Sequence, residues 1–262
     1  MGIITLTSDW GLKDYYGAAV KGSVYTYYPQ ATVVDVSHLI PPFDIIQASL
    51  ILKNSYRNFP PGTVHLVEVK AQAVENIAHL AILADGHYFI GADNGIFSLV
   101  LDHKPEAMIE ILSDNHLSCF PARDIYVKAA CHLAQGGKIE ILGNPAEKMV
   151  EKTMLRPVIE ESAIRGSIVY IDDYGNIITN ISSELFGQVA KGRRFNIYLR
   201  RFEYEISSIQ KGYGQVAEGE KLALFNSAGY LEIAINEGKA SSLLGLGYND
   251  SIRIDFYDSK NS

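Results

Sequence analysis

Hydrophobic and polar positions follow two textures along this chain. In the first half, apolar runs of strand length alternate with longer stretches of helical length. GIITLTS, near the start, reads as a strand. A helix is predicted from Asp14 to Tyr28, with Asp14 near its N-terminus and Pro29 ending it. ATVVDVS is the next strand, FDIIQASLILKNSYRNF the next helix, and TVHLVEV the third strand. That order predicts a mainly parallel sheet covered on both faces. AHLAILADGHYFIGADNG predicts a hairpin turning at Asp85-Gly86, and ARDIYVKAACHLAQGG a helix with a Gly-Gly end.

The second texture begins after NPAEKMVEKTMLRP, a polar stretch with two prolines that reads as a linker. Short strands separated by turns follow: RGSIVYIDDYGNIITNI, RRFNIYLRRFEYEISSI, EKLALFNSAGYLEIAI and DSIRIDFY. Their spacing predicts an antiparallel barrel or sandwich. The expected fold is an α/β N-terminal domain (1-150) with a mainly parallel sheet, plus a small all-β, barrel-like C-terminal domain (160-262). No repeat or low-complexity tract is evident.

Composition narrows the function classes. The 262 residues suit one large domain or two modest ones, and 47% hydrophobic residues allow a sizeable core. A net charge of −7 argues against a nucleic-acid or anionic-membrane partner. No apolar run approaches the roughly 20 residues of a membrane helix. The opening Met1-Gly-Ile-Ile-Thr has no charged region of the kind that starts a signal peptide. Cys119 and Cys131 show no metal or redox spacing, so a reduced, cytoplasmic setting is expected. The seven histidines, His116 among them, are scattered without metal spacing, and each reads as a surface or core histidine. No metal site and no cofactor are expected. The common nucleotide-loop, nucleophile-elbow and zinc-protease motifs do not occur.

The remaining candidates are polar residues at strand exits and turns. Asp9 follows the first strand, the edge where open α/β sheets hold ligands. There it either accepts hydrogen bonds from a vicinal diol such as ribose or caps the next helix. DDYGNIITN is either a tight turn or a base site, with Tyr174 against a flat ring and Asn176 reading its edge. NSAGYLEIAINEG is either a plain hairpin or a carboxylate site built on Ser227 and backbone N–H groups. In CFPARD, Arg123 or Asp124 caps or solvates a helix. In FIGADNG, Asp93 and Asn94 are expected to bond their own backbone.

Seven stretches in order resemble the S-adenosylmethionine hydroxide adenosyltransferases, relatives of fluorinase and chlorinase. They are TSDWGLKDYYGAAVKG, VVDVSHLIPPFDI, FPPGTVHLVEV, FIGADNGIFS, FPARDIYVKAACHLA, IDDYGNIITNI and NSAGYLEIAINEG, and they span nearly the whole chain. The resemblance implies a homotrimer whose ligand lies between the N-terminal domain of one subunit and the C-terminal domain of the next. Water, hydroxide or halide attacks C5′ of S-adenosylmethionine, and methionine leaves. By the same resemblance Asp9 holds the ribose hydroxyls, and Asp14 and Ser227 hold the methionine amino and carboxylate groups. Phe43 lines the pocket. Asp172, Tyr174 and Asn176 sit at the adenine end, with Asn236 nearby.

The chain departs from the hydrolytic members at their water-activating Asp, Arg and His. Lys70 stands at the Asp position, Pro121 at the His position, and no Arg occurs between Arg57 and Arg123. Lys70 is the candidate catalytic base if burial strips its ammonium of water. Otherwise it is solvated or paired with Glu68 or Glu75. The expected activity is cleavage of S-adenosylmethionine to adenosine and L-methionine. The alternatives are an inactive S-adenosylmethionine or adenosine binder, and a halogenase.

Overall fold

A computed structural model describes residues 2–71, 77–113, 118–199 and 205–258. It divides into two compact units, Met1–Met154 and Leu155–Ser262. The first holds strands β1 (Ile3–Ser8), β2 (Thr32–Ser37), β3 (Val64–Glu68), β4 (His79–Ala84), β5 (His87–Ala92), β6 (Ala107–Ile111) and β7 (Gly143–Pro145). Its helices are α1 (Tyr16–Tyr27), α2 (Ile45–Ser55), α3 (Ile96–Val100) and α4 (Val127–Ala134). A single π-helical turn, Ala122–Tyr126, leads into α4.

The strands form one sheet in the order β2-β1-β3-β5-β4-β6-β7. The first four are parallel, as the strand-helix alternation predicts, while β4, β6 and β7 pair antiparallel. The parallel character is therefore central, and the sheet as a whole is mixed. Side chains alternate across it. Val64 and Leu66 of β3 join Ile4, Leu6, Val20 and Ala130 in the core beneath α1 and α4. Val67 and Val69 point the other way, to Ala48 and Leu52 of α2 and Phe97 of α3. Each Val, Leu, Ile or Phe among them contributes about 1.5–3 kcal/mol by leaving water.

Local chemistry explains the boundaries. Asp44 caps α2, its Oδ1 accepting the N–H groups of Ile46 and Gln47 at 3.0 Å each. Asp85 and Gly86 turn the β4–β5 hairpin with φ of 52° and 74°, the left-handed pair such a two-residue turn requires. The first helix begins at Tyr16, not Asp14, and its N-terminus has no side-chain cap. Asn144 and Pro145, expected in a linker, are instead part of β7. An edge strand tolerates Pro145 because one side needs no donor.

The second unit holds β8 (Val158–Glu160), β9 (Ala163–Ile171), β10 (Ile177–Ser182), β11 (Arg194–Tyr198), β12 (Glu205–Ile206), β13 (Ile209–Gln210), β14 (Lys221–Phe225), β15 (Tyr230–Ile235) and β16 (Ser251–Tyr257). They pair as β12-β11-β16-β9-β10-β15-β14-β13, with β8 added on β9. All pairs are antiparallel except β13 with β14. The two ends of that order are joined through Ser207 and Ser208 alone, which curls the sheet into a half-barrel. The unit is not purely β. Helices α5 (Ser183–Ala190) and α6 (Ala240–Leu244) accompany the sheet. Ser182 caps α5 by accepting the Leu185 N–H at 3.1 Å. Phe186 of α5 plugs the core edge-on to Phe195, Phe225 and Phe256.

Candidate functional site

In the first unit, β2 and β3 lie on opposite sides of β1. Chain connections diverge there, which leaves a crevice outside the carboxyl ends of β1 and β3. Asp9 stands at that point. It does not cap α1. Its Oδ2 accepts the Phe43 N–H at 2.8 Å and the Lys70 N–H at 3.3 Å. One carboxylate oxygen thus ties together the exits of β1 and β3 and the loop before α2. Oδ1 has no partner among the described residues and is available to a diol.

Asn94 extends the same network. Its side-chain N–H groups reach the carbonyls of Val69 at 2.8 Å and Lys70 at 3.3 Å, and its Oδ1 accepts the Ile96 N–H. The expected self-bonding of this turn therefore holds for Asn94. Asp93 differs, accepting the distant Val150 N–H at 2.8 Å.

Phe43 and Lys70 both adopt left-handed backbone, with φ of 69° and 52°. Conformations that are strained for side-chain-bearing residues are often held at functional sites. The Lys70 side chain is exposed, so the burial that a lysine base requires is not met. It forms no ion pair with Glu68 among the described residues, and Glu75 lies outside them, as does His116. Asp14 is exposed on the segment leading into α1.

Around these exits lies an aromatic wall. Trp10 stacks on His38, with ring centroids 5.5 Å apart and planes at 14°. Phe120 meets Trp10 and Tyr16 edge-on. His38 Nδ1 pairs with Ser8 Oγ at 2.6 Å, and its Nε2 lies 3.1 Å from Asp35 Oδ1. Arg123 spans Phe120 and pairs with Asp124 at 2.6 Å. That pairing, with a Ser118 hydroxyl bond, holds the Asp124 carboxyl below its ordinary range against partial burial. Leu12, Tyr15, Leu39 and Phe43 stay exposed on the surrounding loops.

One residue here entered the sequence reading only as a possible partner for Lys70. Glu68 ends β3 and is only 7% exposed. Its Cα partner in β1 is Ser8, so both side chains share the α1/α4 face. Burial first, with the nearby charges of Asp9 and Asp124, pushes the carboxyl up to about 8, against a smaller downward pull from the Ala122 backbone. Oε2 is buried without a hydrogen-bond partner among the described residues. The available signal was an acid inside the otherwise apolar run TVHLVEV.

In the second unit, Asp172 and Asn176 close the β9–β10 turn on each other. Asp172 Oδ1 accepts the Asn176 N–H at 2.8 Å, and Oδ2 accepts its side-chain N–H at 3.1 Å. Gly175, with φ of 80°, completes the turn, and Tyr174 projects from it 79% exposed. Asn226 organises the next turn by accepting the Ala228 and Tyr230 N–H groups, which leaves Ser227 exposed. Asn236 is tied down by donating to the Val216 carbonyl at 3.0 Å. Between these turns sits buried Glu232, which accepts from Tyr213 Oη at 2.7 Å and from the Asn226 amide. Burial, then the Glu232 contact, pushes the Tyr213 hydroxyl up to about 12, and the charge of Asp172 adds to this. The two turns lie at opposite ends of the β10–β15 pair, in which Ile177 is register partner of Ile233 and Ser182 of Tyr230.

A groove of about 1100 Å³ lies elsewhere, bordered by Ser98, Asp102, Lys104, Glu106 and Lys152, and contains none of the candidate residues.

Comparison with known proteins identifies the family. The SAM hydroxide adenosyltransferase N-terminal domain matches residues 4–143, and the C-terminal domain of the same family matches residues 166–253. A relative from Thermus thermophilus named (R)-S-adenosyl-L-methionine hydrolase is 31% identical, over 94% of this chain and 97% of its own. One of the same name from Methanocaldococcus jannaschii is 30% identical over 97% and 96%. A fluorinase from Nocardia brasiliensis is 24% identical over 96% of each chain. The crystal structure of an uncharacterized conserved protein from Thermotoga maritima superposes with a TM-score of 0.87. It covers 97% of this chain and 99% of that one, at 31% identity. Two family domains matched in order, across most of the residues, mean that this chain belongs to the SAM hydroxide adenosyltransferase family.

Proposed function

We propose that the protein cleaves S-adenosyl-L-methionine at C5′ with water, releasing adenosine and L-methionine. The observation that carries this is likeness along nearly the full chain to relatives named as hydrolases of that compound. The chemistry suits a site without strong acids. The sulfonium leaves as a neutral thioether and needs no proton. The enzyme's work is to align oxygen, carbon and sulfur and to limit the water around the nucleophile.

In this reading Asp9 takes the ribose hydroxyls through Oδ1, while Oδ2 keeps the Phe43 and Lys70 loops in place. Phe43 lines the pocket. Asp14 and Ser227 take the amino-acid end. Tyr174 stacks on adenine, and Asn176 offers its carbonyl to the adenine amino group, because its own N–H is committed to Asp172. Asp172 holds the turn that carries Tyr174 and Asn176, and Asn236 ties the end of β15 to Val216. Lys70, exposed, serves through its backbone rather than as a base. The reading includes a homotrimer, supported by the exposed Leu12, Tyr15, Leu39 and Phe43 and testable by solution mass. A cytoplasmic location is supported by two unpaired cysteines, Cys119 and Cys131.

The second reading, binding without turnover, is favoured by one observation: Lys70 and Pro121 stand at positions where the resemblance implies water-activating Asp and His. Incubation with S-adenosyl-L-methionine separates the two. Both sulfonium epimers should be supplied, because the relatives' names carry an R descriptor. Adenosine and methionine formed in equal amounts support the hydrolase. Saturable binding with no product supports the binder. A halogenated nucleoside formed only with added halide indicates the chemistry named for the fluorinase relatives.

A further inference from the structure

The pairing of β1 with β3 places a second carboxylate beside Asp9. Ser8 and Glu68 are register partners, so Glu68 leaves the sheet one residue from the diol-binding candidate. Its side chain lies on the α1/α4 face, where Ala122 opens the π-helical turn. Interruptions of this kind in a helix are frequent at functional positions. The Glu68 Oε2 is sealed from bulk water and lacks a hydrogen-bond partner among the described residues. A buried polar oxygen left unsatisfied is costly, roughly 1–3 kcal/mol, and calls for an explanation.

We propose that Glu68 is the proton acceptor for the nucleophilic water, with Oε2 as the accepting atom. This rests on the hydrolase reading above. In the step, a water oxygen forms a bond to C5′ while the C5′–S bond breaks. The bonding pair returns to sulfur, which becomes the neutral thioether of methionine. The proton lost by the attacking oxygen passes to Glu68 and then to solvent. Charge balances: a sulfonium cation and water give adenosine, methionine and a proton. Water held at Oε2 would satisfy the orphaned oxygen before reaction and be polarised by it. Neither Pro121 nor Ala122 has a side chain that can take the proton.

The groups around Glu68 set the pH at which this works. Asp9 faces it from the β1 exit, as do Asp124 and Tyr126 from the helix. His79 of β4 bonds Tyr126 at 2.8 Å, and His38 bonds Ser8 on the same face. Lys70 lies two residues further along the strand exit. Burial and the neighbouring acids both favour the protonated form, so the base is present in increasing amount as pH rises toward about 8.

The test measures kcat, KM and ligand affinity for the full chain and for Glu68→Gln and Glu68→Asp, with uncatalysed decay subtracted at every pH. Glu68→Gln is expected to lower kcat by about 10²-fold or more with adenosine affinity kept within a few-fold. Glu68→Asp should retain part of the rate. The wild-type log kcat should rise with pH to a plateau above about 8, and Glu68→Gln should lose that rise. A Glu68→Gln protein with wild-type kcat and the same pH profile overturns the proposal. Should that variant not fold, a wild-type profile flat between about pH 6 and about pH 9 overturns it equally, because the base would then not titrate where its burial requires. A wild-type protein that makes no adenosine sinks the hydrolase reading and this proposal together. An active wild type with an indifferent Glu68 sinks this proposal alone.

Discussion

Asp9 and Glu68 are neighbours in space with opposite kinds of hydrogen bonding. Asp9 has one oxygen saturated by backbone donors, and Glu68 has one oxygen buried with none. The difference has a consequence for stability. Folded Glu68 keeps its proton up to about 8, whereas an unfolded glutamate releases it near 4.5. Between those values the folded state binds more protons, so stability falls as pH rises through the window and levels off above it. Glu68→Gln cannot ionise. Its melting temperature should therefore gain on the wild type from about pH 5 to about pH 8, by roughly 2–4 °C for each kcal/mol removed. Parallel melting curves across that window would contradict the burial argument. For Asp9→Ala, adenosine affinity should fall at least about tenfold, since both the diol acceptor and the clamp on the Phe43 loop are lost. Unchanged affinity by calorimetry would remove Asp9 from the ribose. Asp9 was legible as a site residue from its place after a strand. Its clamp was not, because the partners lie 34 and 61 residues away. Glu68 was visible in TVHLVEV, but only the register with β1 shows where its side chain is buried.

Elements announced by long apolar runs were readable from the chain: β1, β2, β3, the helices between them, and the hairpin at Asp85-Gly86. Shorter ones were not. The five-residue α3 and α6 and the three-residue β7 and β8 carry too few periods to stand out from loops. The eight-residue α5 offered a capping serine, Ser182, but lay within a run of strand patterns. The π-helical turn before α4 depends on tertiary packing and leaves no periodic trace. The Asp44 cap affords a direct check on local energetics. Asp44→Ala should cost about 1 kcal/mol by exposing two N–H groups of α2, read as a lowered melting temperature. No loss would mean the loop supplies another acceptor. Because Phe43 immediately precedes this cap, the same variant should also weaken ligand binding modestly.

Across the whole molecule, two cores of different construction carry the candidate residues. The first is a mixed sheet whose parallel centre creates the crevice at β1 and β3. The second is a curled antiparallel sheet whose turns at Asp172–Asn176 and Asn226–Tyr230 lie at opposite ends of the β10–β15 pair, with buried Glu232 opposite Ile178 between them. Among the described residues no helix is long and apolar enough to cross a membrane. Family membership follows from both cores, since each matches its own domain of the SAM hydroxide adenosyltransferases. At the exit of β3, Lys70 is exposed and Glu68 is buried two residues before it. The central claim is therefore tested most directly by turnover itself: a long incubation of the purified protein with S-adenosyl-L-methionine, reading adenosine and methionine by chromatography beside Asp9→Ala. Hydrolysis predicts the two products in equal amounts, above the uncatalysed background and lost in the variant. Substrate recovered intact, or adenosine formed equally by wild type and Asp9→Ala, would contradict it.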